Sequence, residues 1–143
     1  MEIRSIFRDG ERIPERYTCD GDNVNPLLEF SGVPSEAKSL VLVIDDPDSP
    51  SRNFVHWVMW NIPANTKRIN EDSAPRGARQ GRNDFGNLGY GGPCPHEGNH
   101  RYRFRLFALD ILLDLQNGSK ADVEMSMKEH ILAQTVLTGT YSR

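Results

Sequence analysis

The chain has 143 residues, 37% of them hydrophobic and 26% charged, with a formal net charge of -3. That length suits one domain spanning residues 1–143, large enough to enclose a core without metal or disulfide support. The acidic balance argues against nucleic acid or an anionic membrane surface as partner, since both need a basic excess.

Mean hydropathy is -0.58, yet the apolar residues are gathered in short runs, which favours a packed fold over disorder. The longest run, residues 40–44, is far too short for a bilayer span, so no integral membrane association is expected. No signal-peptide pattern precedes Arg4 and Arg8, and a cytoplasmic location is expected.

In chain order, residues 27–30 form a weak strand candidate. Residues 39–45 are an unbroken β-branched and apolar run, the pattern of a strand buried on both faces. Residues 54–62 follow a Pro/Ser/Asn turn. Strict alternation there puts Phe54, His56, Val58 and Trp60 on one face, with Val55, Trp57 and Met59 on the other. Residues 65–88 are rich in Gly, Pro, Arg, Asn and Asp and read as a long ordered loop, a length that signals function or partner contact. Residues 101–110 alternate cleanly, with Tyr102, Phe104, Leu106 and Ala108 opposite Arg101, Arg103 and Arg105.

One helix is expected. Ser119 and Asp122 make a capping-box-like start, and Val123, Met127 and Ile131 recur as a buried stripe. Residues 136–141 are a further strand candidate. Many short strands with few helices indicate an all-β, antiparallel sandwich.

The chemistry gathers in two Gly/Pro loops that each lead into a strand. The first runs through Asp46, Pro47, Asp48, Ser49 and Pro50 toward His56-Trp57. The second runs from Gly89 through Gly91, Gly92, Pro93, Cys94 and Pro95 toward His100-Arg101-Tyr102. Rigid loops held by a sheet are where binding groups concentrate. His56 and His100 supply ring donors, Tyr102 a phenol, and Gly91 and Gly92 backbone N–H groups. That donor set suits a phosphate-like anion. Asp46 and Asp48 fit such a site by accepting from the histidines, which fixes their tautomers, or by binding an amine or hydroxyl of the ligand. Either aspartate also suits a plain Asx-type turn.

These motifs resemble the phosphatidylethanolamine-binding proteins, or Raf-kinase-inhibitor-like proteins, in their short bacterial and archaeal branch. The matching residues are Asp46 to Pro50, His56-Trp57, Gly89 to Pro95 and His100 to Tyr102. Cys19-Asp20-Gly21, Asn25-Pro26, Gly81 to Gly86 and Gly139-Thr140-Tyr141 agree as well. The resemblance implies a Greek-key β-sandwich with one or two small peripheral helices. It also implies a small pocket for phosphate-type anions or phospholipid head groups such as phosphoethanolamine, built from Asp46, Asp48, His56, Gly91, Gly92, Pro93, His100 and Tyr102. His96-Glu97 departs from the proline run usual in bacterial relatives and puts a third histidine at the rim. A homodimer is implied by the same resemblance only.

The expected function is therefore that of a non-catalytic binding or regulatory protein without cofactor. An inhibitor of a protease or kinase, acting through a protein partner surface at residues 65–88, is the alternative, and a weak hydrolase the third. No nucleophile elbow is present. His96, Glu97 and His100 have a metal-like spacing, but Pro95 and Gly98 oppose the helix it needs, so no metal is expected. Cys19 and Cys94 leave packing, a thiol role for Cys94 and a mutual bridge open.

Overall fold

Period-two alternation and β-branched runs build the longer strands, and the computed structural model describes residues 1–143. The strands are β1 (Glu2–Arg4), β2 (Leu28–Ser31), β3 (Ser39–Asp46), β4 (Phe54–Pro63), β5 (Arg68–Ile69), β6 (Arg79–Gln80), β7 (His100–Leu109) and β8 (Ile131–Tyr141). One helix, α1 (Lys120–Met127), and a 3-10 turn over Glu15–Tyr17 complete the elements. The protein is mostly β, with two antiparallel sheets in the orders β1-β2-β5 and β6-β4-β3-β7-β8.

The main core lies between the sheets. Leu40, Leu42 and Ile44 of β3, Phe104 and Leu106 of β7, and Leu28 and Phe30 of β2 all point into it. The opposite face of the larger sheet carries Val41, Val43, Phe107 and Leu109, covered by Leu113 and by Val123 and Met127 of α1. β3 is thus buried on both faces, as its unbroken apolar run implies. Tyr102, Phe104, Leu106 and Ala108 share one side of β7, as their alternation implies.

Three expectations need correction. First, β4 does not alternate strictly. Ile44 pairs with Trp57 and Asp45 with Val55, so His56 is an extra residue in a β-bulge. A bulge of this kind resets the phase of a strand and re-aims a side chain. Trp57 and Met59 therefore join the inter-sheet core, while Val55, Val58 and Trp60 face the helix. Second, α1 stops at Met127. Glu129 adopts a left-handed φ of 70°, which ends the helix, and Ile131 opens β8 instead of extending the helical stripe. Third, residues 65–88 are not wholly loop, because β5 and β6 pair there with β2 and β4.

The helix start is as read from sequence. Ser119 Oγ accepts from the Asp122 N–H at 3.2 Å, and the Asp122 carboxylate accepts from the Ser119 N–H at 3.0 Å. Capping of this kind stabilises a helix by roughly 1 kcal/mol. No helix is long and apolar enough to cross a membrane.

Candidate functional site

Where β3 ends and β4 and β7 begin, a cavity of about 480 Å³ opens at one end of the larger sheet. Asp46, Asp48, His56, His100 and Tyr102 all line it, together with Phe54, Phe85 and the segment from Cys94 to Glu97. The strand period explains three of these. His100 and Tyr102 are two apart on β7, and Asp46 follows Ile44 on the core side of β3. Asp45 points the other way and is fully buried, accepting from Arg103 and Arg105 at 2.8–3.1 Å. The β4 bulge supplies the fourth by turning His56 toward Phe54, Phe85 and Tyr102, with ring centroids 5.1–5.4 Å away.

The carboxylates are already engaged. His100 Nδ1 donates to Asp46 Oδ2 at 2.6 Å, and the Asp48 N–H donates to Asp46 Oδ1 at 2.8 Å. The Asx turn and the Asp–His pair, alternatives at the sequence level, are both present. Asp48 pairs with no histidine. Its carboxylate takes the N–H, Nε and Nη2 of Arg101 at 2.8–2.9 Å. Those hydrogen bonds from Arg101 hold the Asp48 carboxyl down at about 2.

His56 has no carboxylate partner either. Its Nδ1 donates to the Gly91 carbonyl at 2.7 Å, and the Gly91 N–H donates back to the His56 carbonyl at 2.9 Å. A carbonyl only accepts, so Nδ1 must carry the proton. Burial pushes the imidazole below its ordinary value, which keeps the ring neutral near pH 7. Nε2 then carries a lone pair. That atom and the Tyr102 hydroxyl are both buried, and neither has a hydrogen-bond partner. Burial also raises the Tyr102 phenol well above its ordinary value, so it stays a neutral donor.

The glycine loop acts differently from the sequence expectation. The Gly91 and Gly92 N–H groups do not face a ligand, since Gly92 N–H donates to Asn23 Oδ1 at 2.8 Å and Gly91 N–H to His56. Pro93 does not line the cavity, and its carbonyl accepts from the Cys19 N–H at 3.1 Å. These residues buttress the pocket from behind. A Cβ on Gly92 would lie 2.3 Å from the Tyr17 carbonyl oxygen, and one on Gly91 2.4 Å from the Phe85 ring. Glycine is required there for close approach rather than for donors.

Sequence reasoning missed Phe54, Phe85 and Arg101. Phe54 and Phe85 meet edge to face at 4.8 Å and give the cavity an apolar lip. Phe85 sits in a Gly/Asn-rich stretch where no periodicity flags it. It is placed by Asn83, whose side chain bonds the Gly89 carbonyl and the Phe85 and Asn87 N–H groups. Arg101 was assigned to the wet face, which is right, but its neighbour across the turn at Asp48 is a tertiary contact. Cys19 and Cys94 are joined in a disulfide, which fastens the cavity wall to the loop around Thr18.

The fold is mostly β, with two antiparallel sheets, one helix and a cavity at the strand ends. Comparison with known proteins gives its family. The chain matches the phosphatidylethanolamine-binding protein family model over residues 4–142 and belongs to that family. It is 52% identical to the UPF0098 protein of Methanothermobacter thermautotrophicus, covering 96% of this chain and 95% of that one. It is 48% identical to the UPF0098 protein of Aquifex aeolicus, covering 100% and 89%. Among solved structures, a phosphatidylethanolamine-binding protein homologue from Chlamydia trachomatis superposes with a TM-score of 0.94 at 39% identity, over 99% of this chain and 96% of that one. YbcL of Escherichia coli superposes at 0.89 and 32% identity, over 99% and 98%.

Proposed function

We propose that the cavity binds a phosphate-type anion or phospho-head group such as phosphoethanolamine, and that the protein acts by binding rather than by turnover. The observation that carries this reading is the pair of partnerless buried atoms, His56 Nε2 and Tyr102 Oη, in side chains that line one cavity. An unpaired buried polar group costs about 1–3 kcal/mol, and a ligand that bonds both recovers that cost.

The two atoms ask for different things. Tyr102 Oη donates, whereas neutral His56 Nε2 accepts. A phosphate monoester carrying one proton satisfies both, with P–O–H donating to His56 and a free oxygen accepting from Tyr102. Asp46, Asp48 and Glu97 around the same cavity favour this monoanion over the dianion by simple charge repulsion. Catalysis has less support. Ser49 Oγ meets Ser51 Oγ at 3.0 Å and no histidine, and the Cys94 sulfur is held in the bridge.

The test is calorimetric titration with O-phosphorylethanolamine and with inorganic phosphate, wild type beside His100→Ala. Saturable binding between roughly millimolar and micromolar, lost in the variant, is the expected result. Absence of binding at both ligands sinks the reading. The proposal includes a cytoplasmic location. A disulfide is unusual there outside hyperthermophiles, so cell fractionation is its check.

A further inference from the structure

The cavity wall from residue 94 to residue 99 is held in an unusual way. It makes no hydrogen bond, backbone or side chain, with any other part of the protein. Its far end is fixed where His100 enters β7 opposite Tyr141. Its near end is fixed at Cys94 by the bond to Cys19. Upstream of the bridge the chain is well tied, through Tyr90 Oη to the Tyr17 carbonyl, Gly92 N–H to Asn23 and Cys19 N–H to the Pro93 carbonyl. Downstream the sulfur–sulfur bond and the packing of the buried Pro95 ring keep Pro95, His96 and Glu97 against the cavity they line, and of the two only the bridge is covalent. Both cysteines are partly exposed, and Cys94 itself lines the cavity, so a small thiol reaches the bridge from solvent.

We propose that the Cys19–Cys94 pair is a redox latch: a dithiol reductant opens it, frees the 94–99 wall and weakens binding at the cavity. The effect on binding rests on the phosphate reading above, whereas the effect on the wall does not. In the exchange a reductant thiolate attacks one bridge sulfur and the Cys19–Cys94 bond breaks, giving a mixed disulfide. The reductant's second thiol then attacks that mixed disulfide and leaves as a cyclic disulfide. The two electrons and two protons end on Cys19 and Cys94 as free thiols. Reduction leaves the two sheets intact, because both cores are built from residues outside the segment.

Coupling runs both ways. A ligand that prefers the closed wall must make the bridge harder to reduce by the same factor that reduction weakens the ligand. A tenfold weakening therefore corresponds to a shift of about 30 mV in the reduction midpoint.

The experiment uses the full chain in oxidised form, after treatment with dithiothreitol, and as the Cys19→Ser/Cys94→Ser variant. Backbone order parameters from nitrogen relaxation report the wall, and calorimetry with inorganic phosphate reports the cavity. Order parameters of residues 96–99 are expected to fall from about 0.85 toward 0.6 or below in both reduced and variant protein, with the β3, β4 and β7 values unchanged. Phosphate affinity is expected to drop about tenfold or more. An unchanged wall, or loss of order across the whole chain, overturns the latch. A mobile wall with equal phosphate affinity overturns its control of binding. A mobile wall with no phosphate binding in any form leaves the latch standing and removes the phosphate reading instead.

Discussion

His100 Nδ1 and Asp46 Oδ2 lie 2.6 Å apart across the β3–β7 end of the sheet, both side chains largely buried. The Asp46 carboxylate is shared between that ring and the Asp48 N–H, so one side chain shapes the turn and aims the imidazole. Asp46→Ala should remove both bonds and lower stability by about 2–3 kcal/mol, read from urea unfolding. Asp46→Asn should keep the turn bond and lose about half of that. Equal losses in the two variants would mean that the turn bond contributes nothing, and an Asn variant as stable as wild type would mean the same of the charge.

Tyr102→Phe separates binding from folding. The hydroxyl is buried without a partner, so deleting it should leave the ligand-free protein as stable as before, or more so. Phosphate affinity should fall by about five- to tenfold, the worth of one hydrogen bond of about 1–1.5 kcal/mol. A stability loss above about 1 kcal/mol in the free protein would show that the hydroxyl has a partner after all.

Binding should strengthen as pH falls from 8 to 5, and two routes have the same sign. The ligand gains the proton that His56 Nε2 accepts as pH passes about 6, the second ionisation of a phosphomonoester. At lower pH His56 itself begins to take a proton and becomes a second donor. Titration calorimetry across this range checks the slope, and equal affinity at pH 5 and 8 removes the donor–acceptor scheme.

Stability responds to the same histidine in the opposite direction. Burial sets His56 below its ordinary value of 6.5, so above that pH neither folded nor unfolded chain holds the proton. As pH drops below 6.5 the unfolded chain binds a proton that the folded one resists, and stability declines. His56→Gln should flatten this decline in thermal melts between pH 7 and 5. A second, more acidic loss is expected from Asp48, whose contribution is full above 3.8 and disappears as pH falls toward about 2.

Gly92→Ala should destabilise by about 1–3 kcal/mol, because the new methyl meets main-chain oxygen that cannot move aside. Gly91→Ala meets a phenylalanine ring instead, which can swing away at the exposed lip. It should cost less stability and should alter ligand affinity, since Phe85 frames the opening. Parallel unfolding and calorimetry of the two variants separate these outcomes.

Much of the architecture follows from local pattern. The β-branched run of β3, the alternation of β7 and the capping box of α1 each read directly, because a period or a cap is a property of neighbouring residues. What escaped depends on distant ones. The His56 bulge is set by pairing with β3, and alternation along β4 gives no sign of it. The left-handed Glu129 ends α1 where propensity would let it run on. Within the site, Asp46, His56, His100 and Tyr102 were legible as a group, since polar residues at strand ends beside rigid loops are conspicuous. The true task of Gly91 and Gly92 was not, because whether an N–H is spare depends on Asn23 and on the His56 carbonyl. Arg101 and Phe85 were hidden for the same reason.

The wall between Cys94 and β7 has one more consequence, for divergence rather than for regulation. His96, Glu97, Gly98 and Asn99 are exposed and bond to nothing, so exchanging them should leave folding almost untouched, within about 0.5 kcal/mol each. Yet His96 and Glu97 border the opening. A lineage can therefore rewrite the rim of this cavity, its charge and its width, while the sheets beneath stay the same, and the chemistry of the opening is free to drift much faster than the fold.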